Sequence, residues 1–169
     1  MRQTLTYVNI SNNRIITLPT GLGMLPNLQQ LNLSNNRLGL SKKMMWPWLQ
    51  QTAIKNTLLS LDISYNLLTR LPIHIWRLYA LKQLRVRNNS LEYISHAVKN
   101  AKNLEFVDVS NNRLKWLPQS ITFMPLIHTL FNPFLRDMRY DVLVYKMTRV
   151  LRKVESLTDL SAMSILRHR

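Results

Sequence analysis

Aliphatic residues recur along this chain as Leu-x-x-Leu-x-Leu, then two residues of any kind, an asparagine, one more residue and a further aliphatic. The string occurs five times, with other aliphatics allowed at the leucines: Leu5, Val8, Ile10, Asn13, Ile15; Leu28, Leu31, Leu33, Asn36, Leu38; Leu58, Leu61, Ile63, Asn66, Leu68; Leu81, Leu84, Val86, Asn89, Leu91; and Leu104, Val107, Val109, Asn112, Leu114. Successive starts lie 23, 30, 23 and 23 residues apart. Alternation over the first half of each string predicts a short strand with one face turned into a core. Most intervals continue with an apolar-proline pair, Leu18-Pro19, Leu71-Pro72 and Leu117-Pro118, while the fourth has Ile94-Ser95. This Leu-Pro-x-x-Ile/Leu segment closes the opposite side of each unit. No unit buries its own apolar face, so the units must stack.

An asparagine on the inside must be hydrogen-bonded or it costs stability. The five asparagines are therefore read as structural, satisfying backbone groups where each strand turns toward the convex side. The string and its period resemble the leucine-rich repeat proteins of the intracellular, 23-residue type. The fold expected is an α/β leucine-rich repeat solenoid, a curved parallel sheet of five to six repeats, with a C-terminal helical tail. The solenoid is placed at 1–134 and the helical cap or tail at 135–169. The repeat also creates Asn-x-Ser sequons at Asn9, Asn32 and Asn88, read as by-products of the motif.

Three places depart from the pattern. The second interval carries seven extra residues within 40–57, including Lys42, Lys43, Met44, Met45, Trp46, Pro47 and Trp48. Pro47 suits the first turn of a helix running from Trp48 to Ile54. The tryptophans either pack on the solenoid or form a protruding basic-aromatic contact patch. A sixth unit begins at Ile127 and Leu130, but Asn132-Pro133-Phe134 arrives about three residues early, so 124–134 is read as a degenerate last repeat. The first repeat starts at Leu5 with nothing to cover its edge, whereas terminal repeats need a cap. The expectation is a piece of a longer protein, or a first strand covered by a partner or by unusual packing.

The outward strand positions form rows across the repeats: Tyr7, Gln30, Ser60, Gln83, Phe106; then Asn9, Asn32, Asp62, Arg85, Asp108; then Ser11, Ser34, Ser64, Arg87, Ser110. Candidate partner-binding residues on this concave face are Tyr7, Asn32, Asp62, Lys82, Arg85, Arg87, Phe106 and Asp108. Asp62 and Asp108 flank Arg85, either as cross-strand charge pairs that stabilise the sheet or as a mixed-charge recognition patch. No nucleophile sits beside a histidine, and His74, His96, His128 and His168 are too scattered to bind a metal. No catalysis, cofactor or metal is expected.

Composition narrows the choice. The chain has 169 residues, 46% hydrophobic, no cysteine and three glycines. It is too apolar to be disordered. Thiol chemistry, disulfide frameworks and glycine-rich phosphate cradles are excluded, and the lack of cysteine fits an intracellular address. No apolar run approaches the roughly 18 residues of a membrane helix, and no membrane partner is expected. The formal charge is +15. It is spread out, with 15 Lys/Arg and 4 Asp/Glu in 1–134 and no run of five like charges. A basic chain suggests nucleic acid, but no nucleic-acid fold or stacking motif accompanies the charge. Direct nucleic-acid binding is therefore the weaker reading.

Beyond Arg136, Val142, Tyr145, Met147, Val150, Leu151 and Val154 follow helical spacing. Ser156 followed by Asp159 is a capping-box-like start for a helix over 156–167. Leu157, Ser161 and Ile165 then lie along one stripe, two aliphatics with a small residue between them. Ser156, Leu157, Ser161 and Ile165 resemble the BC box, the elongin C-binding element of cullin-RING ubiquitin ligase receptors. The layout is similar to the leucine-rich repeat protein 1 family, substrate receptors of cullin-2 ligases. That resemblance implies elongin B/elongin C as partner, bound through Ser156, Leu157, Leu160, Ser161 and Ile165. It also implies a nuclear or cytoplasmic address and a substrate such as a replisome or cell-cycle protein. The chain ends before any cullin-selecting box, which leaves cullin-2 binding by this piece open. Two alternatives stand: a scaffold of the Ras-suppressor kind whose tail helix only caps the solenoid, and a basic nucleic-acid-associated protein.

Overall fold

The computed structural model describes residues 5–41, 46–123, 126–128 and 132, all within one compact unit, Met1–Arg136. Six three-residue strands, β1 (Tyr7–Asn9), β2 (Gln30–Asn32), β3 (Ser60–Asp62), β4 (Gln83–Arg85), β5 (Phe106–Asp108) and β6 (Leu126–His128), form one parallel sheet in chain order. The register never slips: Val8, Leu31, Leu61, Leu84, Val107 and Ile127 occupy one row. Because side chains alternate between faces, one aligned row fixes all the others. Leu31, Leu61, Leu84 and Val107 are at most 2% exposed. The first two rows expected on the outward face are rows the register makes, whereas Ser64 of the third is buried, and the expected parallel repeat architecture is the one present. The domain boundary at 135 and the helix over 156–167 lie outside the described residues.

The asparagines turn inward as expected. The Asn66 amide nitrogen faces the carbonyls of its own repeat, Ile63 at 3.2 Å and Ser64 at 3.0 Å, and that of Leu33 in the preceding repeat at 2.9 Å. Its Oδ1 accepts from the Leu38 amide, again in the preceding repeat, at 3.2 Å. Asn36, Asn89 and Asn112 repeat this arrangement on Ile10, Ile63 and Val86. Each asparagine therefore clamps two repeats together as well as closing its own corner.

Asn132 continues the ladder, donating to the Val109 carbonyl at 3.1 Å and accepting from the Leu114 amide at 3.2 Å. This corrects the phase expected for the sixth repeat. Ile127 is the register partner of Val107, rather than the start of the motif. The strand-to-asparagine distance is unchanged, since Asn132 stands to Leu126 as Asn112 stands to Phe106. The three missing residues were lost before β6, on the convex side, where length is not constrained by hydrogen-bond register.

Short 3-10 turns close that side at Thr20–Met24, Ile73–Arg77, His96–Asn100 and Gln119–Phe123. Pro19 and Pro72 hold extended conformations just before the first two. Their carbonyls accept from Leu22 and Ile75. Ser95 takes the same extended conformation, its carbonyl accepting from Val98 at 3.0 Å, and adds a cap: its Oγ accepts from the Ala97 amide at 3.2 Å. The long interval also differs from expectation. A 3-10 turn over Pro47–Gln50 and a separate helix α1 (Thr52–Thr57) replace one continuous helix, with Gln51 extended between them. Trp46 and Trp48 stack at 5.9 Å and are 5% and 0% exposed. The contact-patch reading of these tryptophans is thereby overturned, because burying indole area outweighs displaying it. The first repeat is less enclosed: Leu5 is 49% exposed, whereas its counterpart Leu28 is 0% exposed.

Two glycines permit close approaches. A Cβ on Gly23 would run into the Trp48 carbonyl, so glycine lets the inserted segment dock on the first convex turn. A Cβ on Gly39 would run into the carbonyl of Leu67. Leu67 itself sits at φ 60°, a left-handed conformation that costs a leucine about 1 kcal/mol.

Two stability predictions follow from these contacts. Asn66→Ala leaves buried backbone groups of two repeats unsatisfied and should cost about 2–4 kcal/mol in urea unfolding. Asn13→Ala, at the exposed end of the ladder, should cost less than about 1 kcal/mol. Gly39→Ala should destabilise by about 2 kcal/mol or more through overpacking. Gly21→Ala, whose added Cβ meets nothing within 4 Å, should be close to neutral.

Candidate protein-binding face

The outward face of the sheet carries a second recurrent device. Asn9, Asn32, Asp62 and Asp108 end their strands, and each accepts through Oδ1 from the backbone amide two residues on, that of Ser11, Ser34, Ser64 and Ser110, at 2.9–3.0 Å. This is an Asx turn, and it fixes where each strand leaves the sheet. Asp108 also accepts from the Ser110 hydroxyl at 2.6 Å and is 9% exposed. The two carboxylates are thus held by backbone. Cross-strand pairing with Arg85 is not what they do: among the described residues the ion pairs are Lys82–Glu105 and Lys115–Glu92. The charge-pair reading of this row is corrected, since a nearby backbone N–H supplies each acceptor with a partner in fixed geometry.

Repeat four departs from its own rule. Arg85 stands where repeats one, two, three and five have Asn or Asp. A guanidinium offers no acceptor, so this repeat forgoes the Asx bond, worth about 1 kcal/mol. The Arg85 guanidinium lies 5.2 Å from the centroid of the Phe106 ring, and its Nη1 donates to Gln83 at 3.3 Å. Two residues on, Arg87 lies 5.5 Å from the Tyr65 ring centroid and donates from Nη2 to the Tyr65 hydroxyl at 3.0 Å.

Tyr65 is itself a departure. Its counterparts Asn12, Asn35, Asn88 and Asn111 all have φ between 51° and 58°, a region asparagine tolerates well. Their amides bond in pairs, Asn35 to Asn12 at 2.8 Å and Asn111 to Asn88 at 3.2 Å. Tyr65 takes the same conformation at φ 56° and interrupts that ladder. Three breaks in the repeat, Arg85, Arg87 and Tyr65, therefore meet on one patch. Local rules are broken together where a surface is shaped for something other than stability.

The remaining candidates are placed as follows. Tyr7 is 52% exposed on β1. Asn32 and Asp62 are half-buried, held in their turns. Lys82 precedes β4 on the rim and is engaged by Glu105 at 3.3 Å. Ser156, Leu157, Leu160, Ser161 and Ile165 lie outside the described residues.

Sequence reasoning did not single out Tyr65. Its signal was available, an aromatic residue in a slot that asparagine fills in repeats one, two, four and five. Also missed was an exposed stack on the flank after the asparagine corner, where Tyr93 and Trp116 lie parallel at 6.0 Å with His96 tilted onto Trp116. Beside it, the Lys115 ammonium donates to Glu92 at 2.7 Å. That hydrogen bond, reinforced by the attraction of the same charge, holds the Glu92 carboxyl below its usual range. A lowered folded value contributes stability above the unfolded value and loses it as pH falls through the folded one. An NMR titration should find Glu92 ionised to lower pH than an ordinary glutamate, and Lys115→Met should return it to the usual range.

Residues 3–42 match the family described as Leucine Rich repeats (2 copies), and residues 103–124 match Leucine Rich Repeat. Over 123 residues the chain is 36% identical to mouse Leucine-rich repeat serine/threonine-protein kinase 1, covering 68% of this chain and 6% of the kinase. Adenylate cyclase of Schizosaccharomyces pombe is 32% identical over 114 residues, 67% of this chain and 6% of the cyclase. The chain thus spans a small part of these curated relatives, and the likeness runs through their repeats. Among solved structures, a Leptospira interrogans LRR protein is 30% identical with a TM-score of 0.63, covering 75% of this chain and 31% of that one. The functional domain of InlJ from Listeria monocytogenes, 21% identical with a TM-score of 0.61 over 79% of this chain and 27% of that one, shares the fold. Repeats, register and these likenesses together make the chain a leucine-rich repeat protein with a parallel solenoid fold.

Proposed function

We propose that this chain is the recognition subunit of a ubiquitin ligase. Its concave face holds a substrate protein, and the segment Ser156–Ile165 docks elongin C. One observation carries the substrate-binding half. The sheet gives up an Asx bond and an asparagine ladder in one place, and sets two arginines on aromatic rings there. The tail half is supported by the sequence stripe of Leu157, Ser161 and Ile165, with Leu160 beside it. In this reading the solenoid ends near 134 and the tail over 135–169 carries the adaptor helix. The protein does no chemistry itself. It raises the local concentration of a substrate lysine beside a ubiquitin-loaded enzyme by tethering. Elongin B, bound to elongin C, completes the bridge toward cullin-2, at a nuclear or cytoplasmic site.

A signalling scaffold is the second reading, favoured by the likeness of the repeats to those of a protein kinase and an adenylate cyclase. Titration with purified elongin B–elongin C separates the two. The receptor reading expects saturable binding that Leu157→Asp abolishes while circular dichroism stays unchanged. Absence of binding by the folded wild-type chain selects the scaffold.

A further inference from the structure

We infer that the patch around Arg85 and Arg87 takes an acidic polypeptide segment, an extended run of Asp and Glu side chains crossing strands β3 to β5. The inference rests on the concave face being the binding surface and supplies the chemistry of what it binds.

Charge accounting on the face comes first. The carboxylates in the same row, Asp62 and Asp108, keep their charge but accept from backbone amides and form no ion pair with Arg85 or Arg87. Glu105 is engaged by Lys82 and Glu92 by Lys115. These four are all the acidic residues of 1–134, where 15 Lys and Arg stand. No carboxylate pairs with either arginine among the described residues. The contacts recorded for Arg85 and Arg87 are one neutral acceptor and one ring each. A guanidinium carries five N–H donors in a planar fork suited to a carboxylate. One acceptor each leaves most of that capacity unused by these contacts.

The stacking is preorganisation. An aromatic face holds a guanidinium by cation–π attraction without neutralising it. The side chain's rotamer freedom is thereby reduced before a ligand arrives, which lowers the cost of binding.

Spacing then selects the class of ligand. Arg85 leans toward repeat five, over Phe106, and Arg87 toward repeat three, over Tyr65. Repeats three and five are two strand spacings apart, about 10 Å. A single carboxylate or phosphate is too small to reach both. Along an extended chain the side chains on one face recur about every 6.7 Å, so successive acidic side chains of one segment reach both forks. Nucleic acid offers the same sign of charge. Each ring, however, already carries a guanidinium, so base stacking, the feature single-strand binders rely on, has to compete with that contact.

The test uses the full chain and fluorescence anisotropy at near-physiological salt. Its probes are a synthetic peptide alternating glutamate and serine, its glutamine counterpart, and oligothymidylate. The variants are Arg85→Gln/Arg87→Gln and, with the same loss of charge at the loop edge of repeats one and two, Arg14→Gln/Arg37→Gln. Saturable binding of the glutamate peptide is expected, weakened about tenfold or more by the concave pair. The Arg14/Arg37 pair should change it by no more than about twofold. Equal loss in both pairs overturns the inference, because the attraction is then diffuse. Failure of the glutamate peptide to bind, or tighter binding of oligothymidylate through Arg85 and Arg87, overturns it as well. If the glutamine peptide binds as well as the glutamate one and still needs Arg85 and Arg87, the face binds polypeptide without using charge. The inference then fails while the concave-face reading stands. The elongin titration is unaffected by any of these outcomes.

Discussion

Everything in this solenoid hangs on what the corner asparagine does with its amide. A chain turning from strand to convex side exposes carbonyls that no strand neighbour satisfies, and burying them unpaired would cost a few kcal/mol at each repeat. Asn36, Asn66, Asn89 and Asn112 donate to their own corner and to the strand end of another repeat, and Asn36, Asn66 and Asn112 accept from the preceding repeat's backbone. Asn89 also accepts, from Asn66 and Leu68. Stacking is thereby made cooperative: a repeat without its neighbour loses hydrogen bonds as well as apolar contact. The constraint also explains the short sixth repeat. Length could be lost on the convex side, but the step from strand to asparagine stayed fixed, so Asn132 still reaches Val109 and Leu114.

The same constraint decides where function can reside. Inward positions are committed to aliphatics and corner positions to asparagine. The turn at the end of β1, β2, β3 and β5 is committed to Asn or Asp as an acceptor. A recognition surface must then be built by breaking one of these commitments, and the breaks are visible at Arg85, Arg87 and Tyr65. A neighbouring repeat lends each arginine its ring, and the acidic row-mates are kept occupied by backbone. The outcome is two arginines held in place on a face where, among the described residues, no carboxylate pairs with them. The kinase and cyclase relatives resemble this chain through their repeats, which is consistent with the array being a portable binding frame rather than the source of any activity.

Much of this was legible in the residues. Five repeats of one string fixed the strands, their register and the concave rows, because parallel stacking at a constant period leaves no freedom to slip. The structural reading of the asparagines came from the cost of burying an unpaired amide. Four readings were displaced, the tryptophan contact patch among them, since both indoles are buried. Pro47 and the residues after it suggested one helix, but Gln51 stays extended and splits it, since both Trp48 and Ile54 must reach the core. The sixth repeat looked out of phase because the count ran from residue to residue instead of from strand to asparagine. Asp62 and Asp108 looked like partners for Arg85, but an amide two residues away is a nearer acceptance than a flexible side chain on the next strand.

Sequence by itself thus determined the solenoid, its rows and its inner asparagines, because those depend on period and on the chemistry of a single repeat. Tertiary structure decided how charges on the outer face are distributed. A carboxylate can turn to its own backbone or to a neighbour, and an arginine can lean toward either adjacent repeat. Local composition does not choose between these. The choice was made by ring positions in flanking repeats, with Phe106 on one side and Tyr65 on the other, brought beside Arg85 and Arg87 only when the strands are stacked.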